Sequence, residues 1–410
     1  MKILFVHQNF PGQFLHLAPA MQARGHDCLA LTDEVNKRKS PIRTARYRHK
    51  VPGPDPAATR LGRNYTQMSD RGVTVARAAR VLREKHGYVP DVIFGHSGWG
   101  ETLFLKEVWP EAKLIIYAEF YYRGIGCDVG FDPEFARDSF DQVMITQGRA
   151  AHLAQALVHA DAGLSPTRWQ ADTHPDRLRP MIDVIFDGVD TDIVAPDPGA
   201  SLILPNGRTL HAGDEVLTFV NRNLEPYRGY HIFMRALPDI LAARPEAQVL
   251  IVGGDGVSYG APAPEGQSWK EVFLSEVRDR VDLSRIHFLG EIRYQNFLAL
   301  LQISRVHGYL TYPFVLSWSM LEAMSAGCHV IGSRTAPVEE MITDGVNGQL
   351  VDFFDVKAWS ARLTEALAEP EKFAPLRRAA RKTIVEKYDL RRICLPGMIS
   401  FVEGFASEGE

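Results

Sequence analysis

The sequence predicts an α/β fold of two domains, each a parallel sheet with helices on both faces. Three observations predict it. Short apolar runs such as Ile3–Val6 and Val249–Val252 read as strands buried on both faces. Helical patterns separate these runs, and strand–helix alternation argues for a parallel sheet. The alternation stops over Asp187–Ser201, rich in Gly, Asp and Pro, and begins again at Val216. At ~150 residues per domain, 410 residues suit two or three domains, and two is the simplest count. We expect domains at 1–200 and 201–385, a helical segment 386–410 crossing back to the first domain, and two Rossmann-like sheets facing an interdomain cleft.

Each element has its own signal. Ile3–Val6 ends in the polar loop His7-Gln-Asn-Phe-Pro-Gly-Gln13. A helical pattern follows, with Phe14, Leu15, Leu17, Ala18 and Met21 on one side and Gly25 as its stop. Cys28–Leu31 is the next strand, completing a β-loop-α-β unit. Further strands are expected at 92–94, 114–117, 162–164 and 184–185, with helices at 66–86, 101–108 and 139–159. Pro205-Asn-Gly-Arg208 reads as a hairpin turn, because Asn-Gly tolerates positive φ. In the second half, strands are expected at 216–220, 249–252, 286–288, 308–310, 330–331 and 350–351, and 357–405 reads as mostly helical. Segment 34–64 is basic, with Lys37, Arg38, Lys39, Arg43, Arg46, Arg48 and Lys50. It reads as a solvated loop or edge strand, or as a patch facing an anionic acceptor or a membrane surface.

Composition excludes several classes. The net charge is −4, a poor endowment for a nucleic-acid binder. No apolar run approaches the ~20 residues of a membrane span. Cys28, Cys127, Cys328 and Cys394 form no CxxC pair, so neither a zinc site nor a disulfide scaffold is signalled. The apolar stretch at the N-terminus is too short for a signal peptide, so a reducing, cytoplasmic location is expected.

Four motifs carry chemistry. In Phe10-Pro-Gly-Gln13, Gly12 at a helix start allows backbone N–H groups to approach a phosphate, or marks a plain tight turn. Arg222 and Arg228, in Asn221-Arg-Asn-Leu-Glu-Pro-Tyr-Arg-Gly229, follow a strand and precede a helix. Two arginines there suit a diphosphate. Ile251-Val-Gly-Gly-Asp-Gly256 resembles a dinucleotide fingerprint but fails it, since position 259 is Tyr, which disfavours an NAD enzyme. In Tyr312–Gly327, Ser317 and Ser319 lead into an apolar helix pattern that contains the single charge Glu322. A carboxylate there is costly unless paired, and two ribose hydroxyls fit it. A further cluster, Glu119-Phe-Tyr-Tyr-Arg-Gly124 with Asp128, Asp132 and Glu134, offers carboxylates and tyrosine faces to a sugar, or is an ordinary structured loop.

The combination Arg222…Arg228-Gly229, Val252-Gly-Gly and Leu321-Glu-Ala-Met-Ser-Ala-Gly327 resembles the family 4 glycosyltransferases, which are retaining, metal-independent enzymes of the GT-B fold. Pro337-Val-Glu-Glu340, Asp344–Val351 and Ile185-Phe-Asp-Gly-Val-Asp190 match other segments of that family, and Met1–Phe14 fits a subgroup. The resemblance implies that Arg222 and Arg228 contact a donor diphosphate, that Glu322 holds the nucleotide ribose, and that the backbone of Leu316, Ser317 and Trp318 caps the phosphates. It places Gly253 in the donor site, Gly12 near the same phosphates across the cleft, and His96 beside the sugar. One departure stands out. Relatives carry a second glutamate eight positions before the ribose-binding one, where it touches donor-sugar hydroxyls; here that residue is Phe314.

These readings give an expected function: retaining transfer of a sugar from a nucleoside diphosphate donor to a hydroxyl acceptor, in surface polysaccharide or glycoconjugate synthesis. His96, Arg222 and Arg228 are the expected catalytic residues. Glu119, Tyr121, Tyr122 and Asp128 are expected to bind the acceptor, which is a saccharide, a lipid-linked sugar or a small molecule. No metal or other cofactor is expected, no nucleic-acid partner, and a peripheral membrane contact follows from the basic segment. The rival readings are a nucleotide-sugar epimerase on the same fold and a non-catalytic sugar-nucleotide-binding protein.

Overall fold

The computed structural model describes residues 1–51, 53, 59, 61–136 and 140–405. Contacts divide the chain into two units. Met1–Gly188 with Arg391–Glu410 form one and Val189–Leu390 the other.

The first unit holds seven strands: β1 (Lys2–Val6), β2 (Asp27–Asp33), β3 (Thr44–Tyr47), β4 (Val92–His96), β5 (Lys113–Tyr117), β6 (Ala162–Ser165) and β7 (Ile182–Val184). They pair in the order β3-β2-β1-β4-β5-β6-β7, and every pairing is parallel. The order reverses beside β1, where Ile3 lies between Cys28 and Val92. Alternate residues of these apolar strands face opposite layers, so one sheet has two cores. Leu4, Val6, Leu29, Leu31, Ile93 and Ile116 pack with Val75 and Ala79 of helix Arg63–His86. Ile3, Phe5, Cys28, Ala30, Phe94 and Ile115 pack on the other side with Phe14, Leu17 and Met21. Leu15, expected on that face, is exposed instead.

The last helix, Leu395–Gly404, completes the second of these cores by adding Met398 and Val402. Glu403 pins it, accepting from Arg24 Nε at 2.7 Å and lying 3.0 Å from His26 Nε2.

In the second unit a hairpin of β8 (Ser201–Ile203) and β9 (Thr209–His211) turns at Gly207, with φ +84°. Six strands follow: β10 (Val216–Asn223), β11 (Gln248–Gly254), β12 (Ile286–Gly290), β13 (Val306–Tyr309), β14 (His329–Ser333) and β15 (Gln349–Val351). Their order is β12-β11-β10-β13-β14-β15, again all parallel. Each unit is thus a doubly wound sheet, and such sheets bind ligands outside the carboxyl ends of their strands.

The division falls before the expected boundary at 200 and after that at 385, because long-range pairing decides it. Val189 N–H donates to the Tyr388 carbonyl, and Leu390 N–H to the Val189 carbonyl, both at 2.8 Å. The Arg381 guanidinium donates to the carbonyls of Thr191, Val194 and Ser325. The helix expected at 101–108 is confined to Leu105–Val108 behind a 3-10 turn at Ser97–Trp99. Gly100 ends that turn: φ is +82°, and a Cβ there would lie 2.1 Å from the Met68 carbonyl oxygen.

The basic segment contributes the edge strand β3. Two of its seven named cations are paired with carboxylates, Arg43 with Asp27 and Arg48 with Glu34, both at 2.8 Å. Positions 52, 54–58 and 60 of that segment lie outside the described residues. Among the described residues, no helix is long and apolar enough to cross a membrane.

Met398→Ala should destabilise the first unit by about 2–5 kcal/mol, the usual cost of truncating a buried Met. Urea unfolding followed by circular dichroism checks this. A variant of wild-type stability would mean that the last helix does not complete this core.

Candidate functional site

In the second unit, β10 runs into a 3-10 turn, Pro226–Arg228, and Gly229 opens helix Tyr230–Ala243. Gly229 has φ +68°, and a Cβ there would come within 2.2 Å of Leu310 Cβ, so only glycine permits this approach. Arg222, at the end of β10, is exposed. Arg228 is buried, and its Nη1 donates to Thr311 Oγ1 at 2.8 Å and to the Val315 carbonyl at 2.9 Å. The two arginines therefore differ. One projects outward, and the other also holds the loop after β13.

Glu225, which sequence reasoning quoted without a role, is fully buried. Its carboxylate accepts from the backbone N–H groups of Ser258, Tyr259 and Gly260 at 3.2–3.3 Å. This fixes the loop after β11 against β10. Gly253 lies beneath it, where a Cβ would meet Leu224 Cδ2 at 2.8 Å. Phe314 is buried in an aromatic cluster, with ring centroids 4.8 Å from Tyr259 and 5.3 Å from Tyr227. The Arg228 guanidinium lies over the Tyr259 and Phe314 rings at 5.1 and 5.6 Å.

Helix Trp318–Ala326 begins beside this cluster. Ser317 caps it, its Oγ accepting from Ser319 N–H at 3.4 Å. The Ser317 N–H itself donates inward to Tyr309 Oη at 2.8 Å, so of the three expected phosphate caps it is already engaged. Leu316 is buried and Trp318 is exposed. Glu322 follows in the same helix, and its Oε1 accepts from the Tyr294 hydroxyl at 2.9 Å. Burial raises the Glu322 carboxyl pKa, and the Tyr294 hydrogen bond opposes that. Tyr294 was missed. Its only signal is a strand–turn–helix junction after Gly290.

In the first unit, the loops after β1, β4 and β5 come together. His96, buried at the end of β4, lies between the rings of Trp99 and Tyr117, centroids 4.5 and 5.3 Å away. Gly98 N–H donates to its Nδ1 at 2.9 Å, and its Nε2 lies 3.6 Å from Glu119 Oε2. The Tyr117 hydroxyl donates to Asp187 at 2.8 Å. His7 and Gln13, also missed, stand in the same group. Gln13 Nε2 donates to Glu119 Oε1 at 3.1 Å, and His7 Nε2 lies 3.0 Å from Gln13 Oε1. Gly12 has φ +48°, and a Cβ there would lie 2.5 Å from His7 Nε2. Burial brings the His7 pKa down to about 3, and neighbouring His96 adds to this.

The other expected acceptor residues lie elsewhere in the loop. Tyr121 N–H donates to Thr173 Oγ1 at 3.0 Å, and Tyr122 stacks under Arg149 at 4.5 Å. Tyr121 lines a pocket of about 440 Å³ with Arg123, Ile125, Val143 and Gln147, to which Glu119 does not contribute. Asp128 is buried in a turn closed by Phe131 N–H on its carbonyl at 3.3 Å.

Glu101 is a further buried carboxyl at this edge. It is fully buried, and its Oε1 accepts from the Tyr47 hydroxyl at 2.6 Å. Burial pushes its pKa up from 4.5 to about 7, against the pull of Tyr47 and Arg71.

The comparisons with known proteins agree with this architecture. Residues 24–194 match the model described as "Glycosyl transferase family 4 group", and residues 206–383 that of "Glycosyl transferases group 1". The D-inositol 3-phosphate glycosyltransferase of Mycolicibacterium vanbaalenii is 27% identical over 48% of this chain and 43% of its own length. The GDP-mannose-dependent alpha-(1-6)-phosphatidylinositol monomannoside mannosyltransferase of Mycolicibacterium smegmatis is 26% identical over 50% of this chain and 52% of its own. The chain thus matches about half the length of these relatives. HepE of Anabaena, solved in complex with UDP-glucose, aligns over 100% of both chains with a TM-score of 0.68 at 15% identity. Sucrose-phosphate synthase of Thermosynechococcus elongatus aligns over 99% of this chain and 100% of its own, with a TM-score of 0.72 at 18% identity. These likenesses establish the GT-B fold.

A folded pKa above the unfolded one means that the native state holds the Glu101 proton longer. That contribution is complete below pH 4.5 and is lost as pH rises toward 7. Glu101→Gln has no such proton. Its stability relative to wild type should rise across that interval by up to ~1.4 kcal/mol per pH unit. Urea denaturation at several pH values checks this, and a constant difference would mean that Glu101 ionises normally.

Proposed function

Because the chain belongs to the family 4 glycosyltransferases, we propose that it is a retaining glycosyltransferase acting on a nucleoside diphosphate sugar. The observation that carries this reading is in the second unit, where exposed Arg222 stands at the end of β10, helix Trp318–Ala326 follows the loop after β13, and Glu322 of that helix accepts from the Tyr294 hydroxyl. Arg222 and the helix start suit a diphosphate. Glu322, held by Tyr294, suits the two ribose hydroxyls.

In the proposed reaction the bond from the sugar's anomeric carbon to the diphosphate breaks. The acceptor oxygen bonds the same carbon on the same face, and its proton passes to the leaving phosphate. Negative charge grows on the diphosphate, and Arg222 and Arg228 stabilise it without a metal. His96, at the edge of the first unit, contacts the transferred sugar, and Glu119 binds the acceptor hydroxyl. The acceptor is a saccharide, a lipid-linked sugar or a small molecule, and the setting is cytoplasmic synthesis of surface polysaccharide or glycoconjugate.

A second reading, a non-catalytic sugar-nucleotide-binding protein, is favoured by Phe314, which puts a ring where relatives carry a carboxylate. A thermal-shift screen over UDP-, GDP-, ADP- and dTDP-sugars identifies the donor by mass action. Transfer assays with that donor then separate the readings.

Arg222→Ala and Glu322→Ala should each cut transfer at least ~100-fold, the scale of a lost charge stabiliser, with circular dichroism unchanged. Wild-type rates in both variants would refute this site.

A further inference from the structure

Two histidines at the edge of the first unit have their tautomers set by the backbone. Asn9 N–H donates to His7 Nδ1 at 2.9 Å, and Gly98 N–H donates to His96 Nδ1 at 2.9 Å. A ring nitrogen that accepts carries no hydrogen, so in each neutral ring the hydrogen sits on Nε2. His7 Nε2–H then donates to Gln13 Oε1 at 3.0 Å. That settles which way the Gln13 amide faces, and its Nε2–H donates to Glu119 Oε1 at 3.1 Å. His96 Nε2–H lies 3.6 Å from the other oxygen, Oε2. The low His7 pKa keeps its ring neutral, so its Nδ1 remains an acceptor.

Glu119 and Gln13 are 106 positions apart in the chain, so local folding does not bring them together. The Glu119 side chain is 30% exposed just beyond the carboxyl end of β5, while both histidines are buried. The fixed groups lie underneath, and the carboxylate they hold reaches the surface. Gly12 belongs to the same device, because its missing Cβ makes room for the His7 ring.

We propose that His7 and Gln13 are positioning residues that fix the Glu119 carboxylate as the acceptor of the incoming hydroxyl's hydrogen bond. This rests on the glycosyl-transfer reading above. The loop after β1 therefore acts through its side chains on the acceptor group, in addition to any approach of Gly12 to phosphate. A hydroxyl bound to a fixed carboxylate attacks from a defined direction. A loose carboxylate loses that orientation, and misplacement by about 1 Å costs on the order of 10²-fold in rate.

The first test needs no activity. Long-range ¹⁵N–¹H spectra of the ¹⁵N-histidine-labelled full chain, assigned with a His7→Gln variant, should show His7 as the Nε2–H tautomer. In Gln13→Leu the His7 Nε2–H signal should move. A His7 protonated on Nδ1, or a signal unmoved by Gln13→Leu, overturns the proposal. The second test reads hydrolysis of UDP-glucose, GDP-mannose and ADP-glucose, with water as acceptor, using whichever donor the wild type turns over. Gln13→Leu and Gln13→Glu should lower kcat by ~10²-fold, while the thermal shift given by the corresponding nucleoside diphosphate is unchanged. Gln13→Glu should be the more damaging, because it sets a second carboxylate against Glu119. Unchanged kcat in both variants overturns the positioning role. If the wild type turns over none of these donors, the spectra alone decide whether the two histidines and Gln13 hold Glu119, and the transfer assays decide the transfer reading separately.

Discussion

In each of the two large sheets the strands all run one way, so their carboxyl ends share one edge of that sheet, and each unit's polar chemistry stands on its own such edge. His7, His96 and Glu119 stand at or just beyond the ends of β1, β4 and β5, and Arg222 and Thr311 at or just beyond the ends of β10 and β13. This arrangement has a cost. Loops at a crowded edge bury polar groups that have lost their water, and each needs a partner. The chain meets the cost mainly by pairing side chains with backbone groups. Gly98 serves His96, Asn9 serves His7, and the Val315 carbonyl serves Arg228. Such pairings also make the side chains rigid, which a site that orients substrates requires.

The loop after β11 shows how far this goes. Its glycines suggested a dinucleotide fingerprint that Tyr259 spoils. Three successive N–H groups at 258–260 do converge on an anion, as in the concave backbone nests that hold phosphates. Here the anion is Glu225 of the chain itself. The loop is filled from within and serves as a wall, fixing Tyr259 against Arg228 and Phe314. In this unit the groups that suit a ligand phosphate are instead Arg222, Arg228 and the helix beginning at Trp318.

Much of the fold was legible because buried parallel strands are apolar runs. Boundaries were less legible. The pairing of Val189 with Tyr388 and Leu390 depends on residues about 200 positions apart, and no local pattern signals it. Arg222 stood out as an arginine between a strand and a helix, and Glu322 as the single charge in an apolar helix pattern. Their partners did not, because Tyr294 is an ordinary surface-type residue until it meets Glu322 28 positions away. His7 and Gln13 were hidden for the same reason. Glu101 was hidden by a helical reading of its segment, where the helix starts only at Leu105. In the aromatic segment 120–122, the Tyr121 backbone N–H donates to Thr173 and the Tyr122 ring meets Arg149, partners that the composition of the segment does not signal.

Phe314 is the point at which sequence pattern and physical setting diverge most, and the setting explains how the residue is tolerated. The Arg228 guanidinium has a hydroxyl, a carbonyl and two ring faces as neighbours. None of them carries negative charge. A glutamate at 314, beside that guanidinium, would form an ion pair and cancel much of its field. A phenyl ring adds a cation–π contact of about 0.5–2 kcal/mol and leaves the positive charge in place. Under the proposed function, that charge remains for a diphosphate, whose negative charge grows as the sugar departs. The loss of a carboxylate toward the sugar and the retention of Arg228's charge toward the leaving group are thus two consequences of one substitution.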